Sequence, residues 1–267
     1  MTTNAPIPVL FLHGLWLHAS SWKPWMNYFE EAGYAPVAPG WPKEPDTVEG
    51  ARRAPEVVAN QGIEDVARHF RQIIRSLPLE PILIGHSFGG LLAQKLLGEG
   101  LGRAAIAIDP AQIKGVLPLP FAQLKAGLPA LGNPFNKSRS VALTAKEFRF
   151  GFGNAVSHQE SDDLYARHTI PSPARGLFEV AFANFTFNGP SKVDTRNDRR
   201  GPLLLISGTA DNTVPDVTTR ATYKQYRHSS AVTDLRQLDG RGHSLVIDHG
   251  WRDVADVCLS WLKERGH

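Results

Sequence analysis

The chain of 267 residues contains a single cysteine, Cys258, so no disulfide can form within it. The thiol falls in the apolar pattern of a C-terminal helix and reads as a small core residue. Long apolar runs are missing as well. No stretch reaches the roughly 18–20 consecutive apolar residues that cross a bilayer. Met1 to Pro8 show no basic region and no apolar run before a cleavage site, so no secretion signal is expected and the reading is of a cytoplasmic protein. Charge of neither sign dominates: 29 Lys and Arg stand against 26 Asp and Glu, a formal +3. The densest basic cluster, Arg196 to Arg200, is broken by Asn197 and Asp198, so neither nucleic acid nor a membrane is an expected partner. Repeats and low-complexity tracts are absent. No His, Cys and acid cluster has metal spacing, and no dinucleotide-binding glycine loop is present, so neither metal nor cofactor is expected. What is present is 42% apolar residues, enough for a sizeable core.

Those residues fall in short runs separated by helix-length segments. Val9–Leu12, Tyr34–Ala38, Pro81–Ile84, Ala104–Ile108, Leu203–Ile206 and Val232–Leu238 read as six strands. Ser21–Ala32, Ile63–Leu77, Phe88–Leu97, Val217–Tyr226 and Trp251–Lys263 read as helices between or after them. Near-continuous apolar strands separated by helices predict an α/β fold with a mostly parallel sheet covered on both faces. The segment Gln112 to Lys192 interrupts the alternation. It reads as an inserted helical cap, with helices near Ala145–Phe150, Ser161–His168 and Ala174–Asn184. The core domain is then 1–111 together with 193–267.

The most informative stretch is Pro81-Ile-Leu-Ile-Gly-His-Ser-Phe-Gly-Gly90. A serine hydroxyl is a poor nucleophile unless it is exposed, oriented and deprotonated by a neighbour. A sharp strand-to-helix turn supplies the exposure. Gly85 and Gly89, two residues either side of Ser87, remove side chains that would collide where strand and helix approach. Acyl transfer also needs two preorganised N–H donors for a developing oxyanion. Phe88 opens the helix after the serine and is one candidate. His13-Gly14-Leu15-Trp16 follows the first strand and supplies the other, at Leu15 or alternatively at Trp16.

Two acids end neighbouring strands: Asp211, in the loop Gly208-Thr-Ala-Asp-Asn-Thr, and Asp109, followed at once by Pro110. Asp211 is preferred because its loop can reach sideways. Of ten histidines, His243 lies between the last strand and the last helix, where Gly240 and Gly242 make a tight loop. His249 is its rival. His13 and His86 read as packed, orienting groups, and the remaining histidines have no acid or serine partner suggested by position. The chain order Ser87, Asp211, His243 is the order such a triad takes on an α/β-hydrolase sheet.

On these four motifs the sequence resembles the α/β-hydrolase superfamily, of the kind containing small serine carboxylesterases. The resemblance implies a sheet of eight strands, the second antiparallel. Only eight residues precede the first strand here, so the first two are expected to be missing and the sheet to hold six parallel strands. It also implies a small-molecule ester or lactone substrate. Relatives that open halides or epoxides carry an aspartate where Ser87 stands, and hydroxynitrile lyases carry a lysine where Ser244 stands. A carbon–carbon bond hydrolase, a cofactor-free perhydrolase, and a ligand-binding protein on a retired hydrolase scaffold remain as alternatives. Nine of thirteen Phe lie between Phe121 and Phe187. Trp16, Phe148, Phe152 and Phe182 are therefore expected to line an apolar pocket. The oligomeric state is not legible.

Overall fold

The computed structural model describes residues 5–267; Met1 to Asn4, part of the segment read for a secretion signal, lie outside them. In chain order the elements are β1 (Pro8–Leu12), α1 (Lys23–Glu31), β2 (Ala35–Val37), α2 (Val48–Arg53), α3 (Ile63–Ser76), β3 (Ile82–His86), α4 (Phe88–Gly98) and β4 (Ala104–Ile108). There follow α5 (Phe121–Leu131), β5 (Ser140–Val141), α6 (Ala145–Gly151), α7 (His158–His168), β6 (Ser172–Pro173) and α8 (Arg175–Ala181). The chain closes with β7 (Leu203–Gly208), α9 (Asp216–Gln225), β8 (Thr233–Leu238) and α10 (Trp251–Glu264).

Six strands form one sheet in the order β2-β1-β3-β4-β7-β8, and every pairing is parallel. Successive side chains of a strand point to opposite faces, and the core divides accordingly. Val9, Phe11, Ile84, Ile106 and Ile206 point to one face, against Trp22, Trp25 and Phe29 of the α1 region and Val254, Cys258 and Leu262 of α10. Leu10, Leu12, Leu83, Ala107 and Leu205 point to the other, against α3 and α4. The helix α3 buries Ile63, Val66, Ala67, Phe70 and Ile74, one helical stripe, and leaves its arginines outside. Cys258 is fully buried here, as a core residue would be.

The strand order reverses between β1 and β3, because the chain runs from β1 outward to β2 and returns to β3 on the other side of β1. Loops leaving the carboxyl ends of β1 and β3 diverge there and open a crevice, where ligands gather in open parallel sheets.

Between β4 and β7 the chain leaves the sheet and builds α5 to α8 with the β5–β6 ribbon. The sequence reading missed α5. Its residues, Phe-Ala-Gln-Leu-Lys-Ala-Gly-Leu-Pro-Ala-Leu, are apolar all round, so no amphipathic period marks it, and Pro129 sits inside it. It also missed α2, in the Pro-rich loop, which begins where the Thr47 side chain accepts from the Gly50 N–H. The inserted segment is tied to the β1 loop by backbone. His18 N–H donates to the His168 carbonyl at 3.1 Å, and Ile170 N–H to the Trp16 carbonyl at 3.0 Å.

Candidate active site

Ser87 stands between β3 and α4 with φ 56° and ψ −119°, a region costing an L-residue about 1–3 kcal/mol. The surroundings hold it there. Its N–H donates to the Ile108 carbonyl at 2.9 Å, and its carbonyl accepts from Ala111 N–H at 2.9 Å and Leu91 N–H at 3.1 Å. Close approach explains the glycines. A Cβ on Gly85 would fall on the Gly89 carbonyl, and one on Gly89 would fall on the Leu12 carbonyl of β1. A Cβ on Gly14 would lie 2.7 Å from Ser87 Cβ and 3.0 Å from the His86 carbonyl oxygen. The loop after β1 is thus pressed directly onto the serine.

The same loop presents its backbone. Trp16 N–H is engaged, donating to Ser172 Oγ at 2.6 Å. Leu15 N–H and Phe88 N–H have no acceptor among the described residues. Between the two donors considered in this loop, Leu15 is the free one. The loop is held at both ends by one carboxylate that sequence reasoning overlooked. Glu44, its side chain 3% exposed, lies 3.2 Å from His13 Nε2 and 3.7 Å from His18 Nε2. Burial pushes the His13 imidazole down, but the Glu44 charge and hydrogen bond together with the Gly14 and Leu17 carbonyls outweigh it, and the net shift is upward; burial pushes Glu44 up, but His13, His18 and the Ala19 N–H together hold it below the usual range. Trp41 stacks on His13 with centroids 5.5 Å apart. His18 therefore does have an acid partner, one that folds in from the Pro-rich loop, where sequence separation hides it.

Across the crevice, His243 and Asp211 meet with both side chains fully buried. His243 Nδ1 donates to Asp211 Oδ2 at 2.5 Å. Asp211 Oδ1 accepts from the Thr213 N–H at 2.6 Å and the Val214 N–H at 2.8 Å. With Nδ1 as the donor to this carboxyl group, a neutral imidazole has Nε2 left as an acceptor. Nε2 is buried and has no partner among the described residues. Ser87 Oγ and His243 Nε2 are not hydrogen-bonded in this conformation, and such bonds commonly tighten only with substrate. The two motifs nonetheless adjoin: the ring of His86, next to Ser87, lies 4.5 Å from that of His243. Phe152 holds the other side of His243 edge-on at 4.7 Å. His249, the rival histidine, is exposed and pairs with Glu160 of α7 at 2.9 Å.

Asp109 sits under this pair, with φ 40°. Its Oδ1 accepts from Gly208 N–H at 2.7 Å. Burial, and then the adjacent Asp211 carboxylate, hold its carboxyl well above the usual range. Burial and His243 keep His86 well below the usual imidazole value, hence neutral. The ligating atoms of His86, Asp109 and His243 lie within 4.8 Å of one another, the one such group among the described residues.

Beside Ser87 is a small cavity of about 50 Å³, walled mainly by Leu15, Trp16, Phe88, Ala126, Leu177 and Val180, with Gln112, Gln123 and Thr213 as polar points. Of the four residues expected to line a pocket, Trp16 does so. Phe148 and Phe152 are not among its walls; they stack on each other at 5.0 Å in the buried inner side of the insertion, Phe152 against His243. Phe182 is 56% exposed, stacks on Phe178, and is not among the walls. Aromatic content alone does not distinguish a pocket wall from the filling of an insertion or from surface.

The sequence profile described as the alpha/beta hydrolase family matches residues 9–257. The chain belongs to this family. No curated protein matches it. Solved structures of similar fold include a monoacylglycerol lipase of Paleococcus ferrophilus, at 18% identity and TM-score 0.68 over 98% of this chain and 96% of that one. The methylesterase MES16 of Arabidopsis shares 16% identity with TM-score 0.67, covering 96% and 99%. An extracellular alpha/beta-hydrolase of a Paenibacillus species shares 16% with TM-score 0.69, covering 96% and 98%. At these identities the likeness is one of fold. Among the described residues of this alpha/beta hydrolase, no helix is long and apolar enough to cross a membrane.

Proposed function

We propose that this hydrolase cleaves carboxylic esters or lactones through an acyl-enzyme on Ser87. The observation that carries the reading is the buried Asp211–His243 pair, 2.5 Å apart, behind a serine in a strained strand-to-helix turn. His243 Nε2 takes the proton from Ser87 Oγ as the hydroxyl attacks the carbonyl carbon. Asp211 keeps the imidazole in the required tautomer and stabilises its charged form. The oxyanion is received by the unengaged N–H groups of Leu15 and Phe88, the latter at a helix N-terminus whose dipole favours negative charge. His243 then protonates the leaving alcohol and activates water, which releases the acid and restores Ser87.

The insertion, 112–192, acts in this reading as a cap that shapes the substrate. The cavity is well under the roughly 300 Å³ of ordinary ligand pockets, and its walls are mostly apolar. A short apolar acyl group fits as it stands, and a longer one requires α5 or α8 to shift. The names of fold relatives, a monoacylglycerol lipase and a methylesterase, are consistent with ester chemistry. The test is a fluorophosphonate probe followed by peptide mapping, together with an ester and lactone panel graded by acyl size. A mass adduct on Ser87, absent in Ser87→Ala, is expected. An adduct elsewhere, or ester turnover by Ser87→Ala near the wild-type rate, overturns the assignment.

A further inference from the structure

Helix α5 is apolar on both sides. Gln123, Ala126 and Gly127 face the cavity beside Ser87, and Ala130 on the same side is fully buried. The opposite side, Phe121, Leu124 and Leu128, is 79%, 44% and 58% exposed. A surface helix ordinarily turns a polar face to water, and one apolar all round is ordinarily covered. Lys125 is the single charge on α5.

The exposed apolar surface continues beyond the helix. Leu117 before it is 78% exposed and Phe135 after it 72%. Phe185 and Phe187, in the segment following α8, are 86% and 92% exposed. The two segments are joined side by side. Lys114 Nζ donates to the Ala183 carbonyl at 2.9 Å. The Asn184 side chain accepts from Gly115 N–H at 2.7 Å and donates to the Val116 carbonyl at 2.9 Å. Of the fourteen exposed large apolar residues among those described, nine belong to these two joined segments, a concentration unlike the scattered singles of an ordinary surface.

The charges in the same segments are of one sign. No acidic residue occurs between Asp109 and Glu147, nor between Glu179 and Asp194. Lys125, Lys137, Arg139, Lys146 and Lys192 fall within these spans and are exposed. Glu147, the first carboxylate after the patch, is engaged at the start of α6 by Thr144. Two copies meeting through this surface would set cation against cation. An apolar layer with negative headgroups satisfies both features at once.

We infer that the outer face of α5 and the Phe185–Phe187 segment form a docking surface for an anionic lipid bilayer. The site's substrates are then esters dissolved in that bilayer; this second part rests on the esterase reading above. The helix that meets the lipid is the one that walls the cavity, so an ester leaving the bilayer reaches Ser87 past α5.

The experiment is flotation of the protein with vesicles of pure phosphatidylcholine and of phosphatidylcholine mixed equally with phosphatidylglycerol, at low and high salt. Wild type and Ser87→Ala are expected to float with the anionic vesicles at low salt and to detach as salt rises. The double variant Phe185→Ser and Phe187→Ser changes side chains that are almost wholly exposed, so folding should be unaffected. It is expected to lose binding by about tenfold or more, and so is Lys137→Glu with Arg139→Glu. The Phe variant should hydrolyse a water-dissolved acetate ester at the wild-type rate and lose turnover only on a vesicle-embedded ester. No flotation by wild type, or flotation indifferent to both variants, overturns the docking surface. A dimer in sedimentation equilibrium that the Phe variant abolishes overturns it in favour of a second copy. Flotation of both wild type and Ser87→Ala, with no ester turnover by wild type in solution or on vesicles, keeps the surface and rejects the esterase reading.

Discussion

Asp109 lies beside Asp211, and while Asp211 meets the His243 imidazole, Asp109 has its carboxyl held well above the usual range by burial and by that neighbouring carboxylate. Both end neighbouring strands of the sheet, β4 and β7. Asp211 touches His243 Nδ1, while Asp109 is held by the Gly208 N–H. The two carboxyl groups therefore have different expected roles, and different substitutions separate them.

Asp211→Asn is expected to lose about three to four decades in kcat, because an amide stabilises the wrong imidazole tautomer. Asp109→Asn should lose less than about tenfold, since the amide oxygen can still accept from the Gly208 N–H and Asp109 does not touch the imidazole. Steady-state rates of both variants at several pH values decide this. A crippled Asp109→Asn beside an active Asp211→Asn would move the acid to the other strand.

Asp109 also makes a prediction about stability. Its folded pKa is raised, so above the ordinary carboxylate value of about 3.9 the unfolded chain releases a proton that the folded chain keeps. Its contribution to stability is full below that value and is lost as pH rises toward the folded pKa. Relative to wild type, Asp109→Asn should gain stability from pH 4 upward and show a constant difference below it. Urea unfolding across that range measures the difference; a variant that loses stability relative to wild type as pH rises, or a difference independent of pH, contradicts a raised Asp109 pKa.

Ser87→Ala should lower turnover by about 10⁶-fold, as for nucleophile loss in a well-studied serine hydrolase, and leave the fold intact. The strained conformation, φ 56°, remains unfavourable for alanine, but no polar hydroxyl is then confined in a buried cleft. The Tm should hold or rise. A fall of many degrees would mean that Ser87 supports the fold.

Glu44→Gln should destabilise the protein by about 3 kcal/mol at pH 6, because it leaves His13 buried without its counter-charge. The His13 pKa is raised by Glu44, so the pair's contribution is full below the ordinary imidazole value near 6.5 and is lost as pH rises through the folded value. On the acid side Glu44, held below its usual range, loses its contribution as pH falls through its own folded value. Denaturant unfolding at pH 6 and pH 9 should show the variant's deficit shrinking at the higher pH. Its kcat should fall with it, since Glu44 anchors both ends of the loop that presents Leu15 N–H.

Gly14→Ala and Gly89→Ala should fail differently. The first puts a methyl 2.7 Å from Ser87 Cβ; it should fold and lose about 10²–10³ in kcat, as for removal of one oxyanion donor. The second drives a methyl into the Leu12 carbonyl of β1, backbone that cannot move aside, and should not yield folded protein. Circular dichroism and ester turnover of the two variants distinguish the outcomes.

The α/β architecture was legible because it is local. Each strand is a short apolar run, each core helix an apolar stripe, and the turn at Ser87 requires small residues at 85 and 89 whatever surrounds it. Six parallel strands and the expected positions of Ser87, Asp211 and His243 follow from such patterns. What the sequence could not display depends on segments distant in the chain. Glu44 reaches His13 and His18 only after the Pro-rich loop folds back. Phe148, Phe152 and Phe182 looked alike as aromatic residues, yet two are core and one is surface. A net charge of +3 averaged away a region with no acid between Asp109 and Glu147. Helix α5 has no polar stripe to reveal it, and which of its faces meets the cavity and which meets solvent is decided by packing, because burial belongs to the assembled molecule and not to any stretch of it.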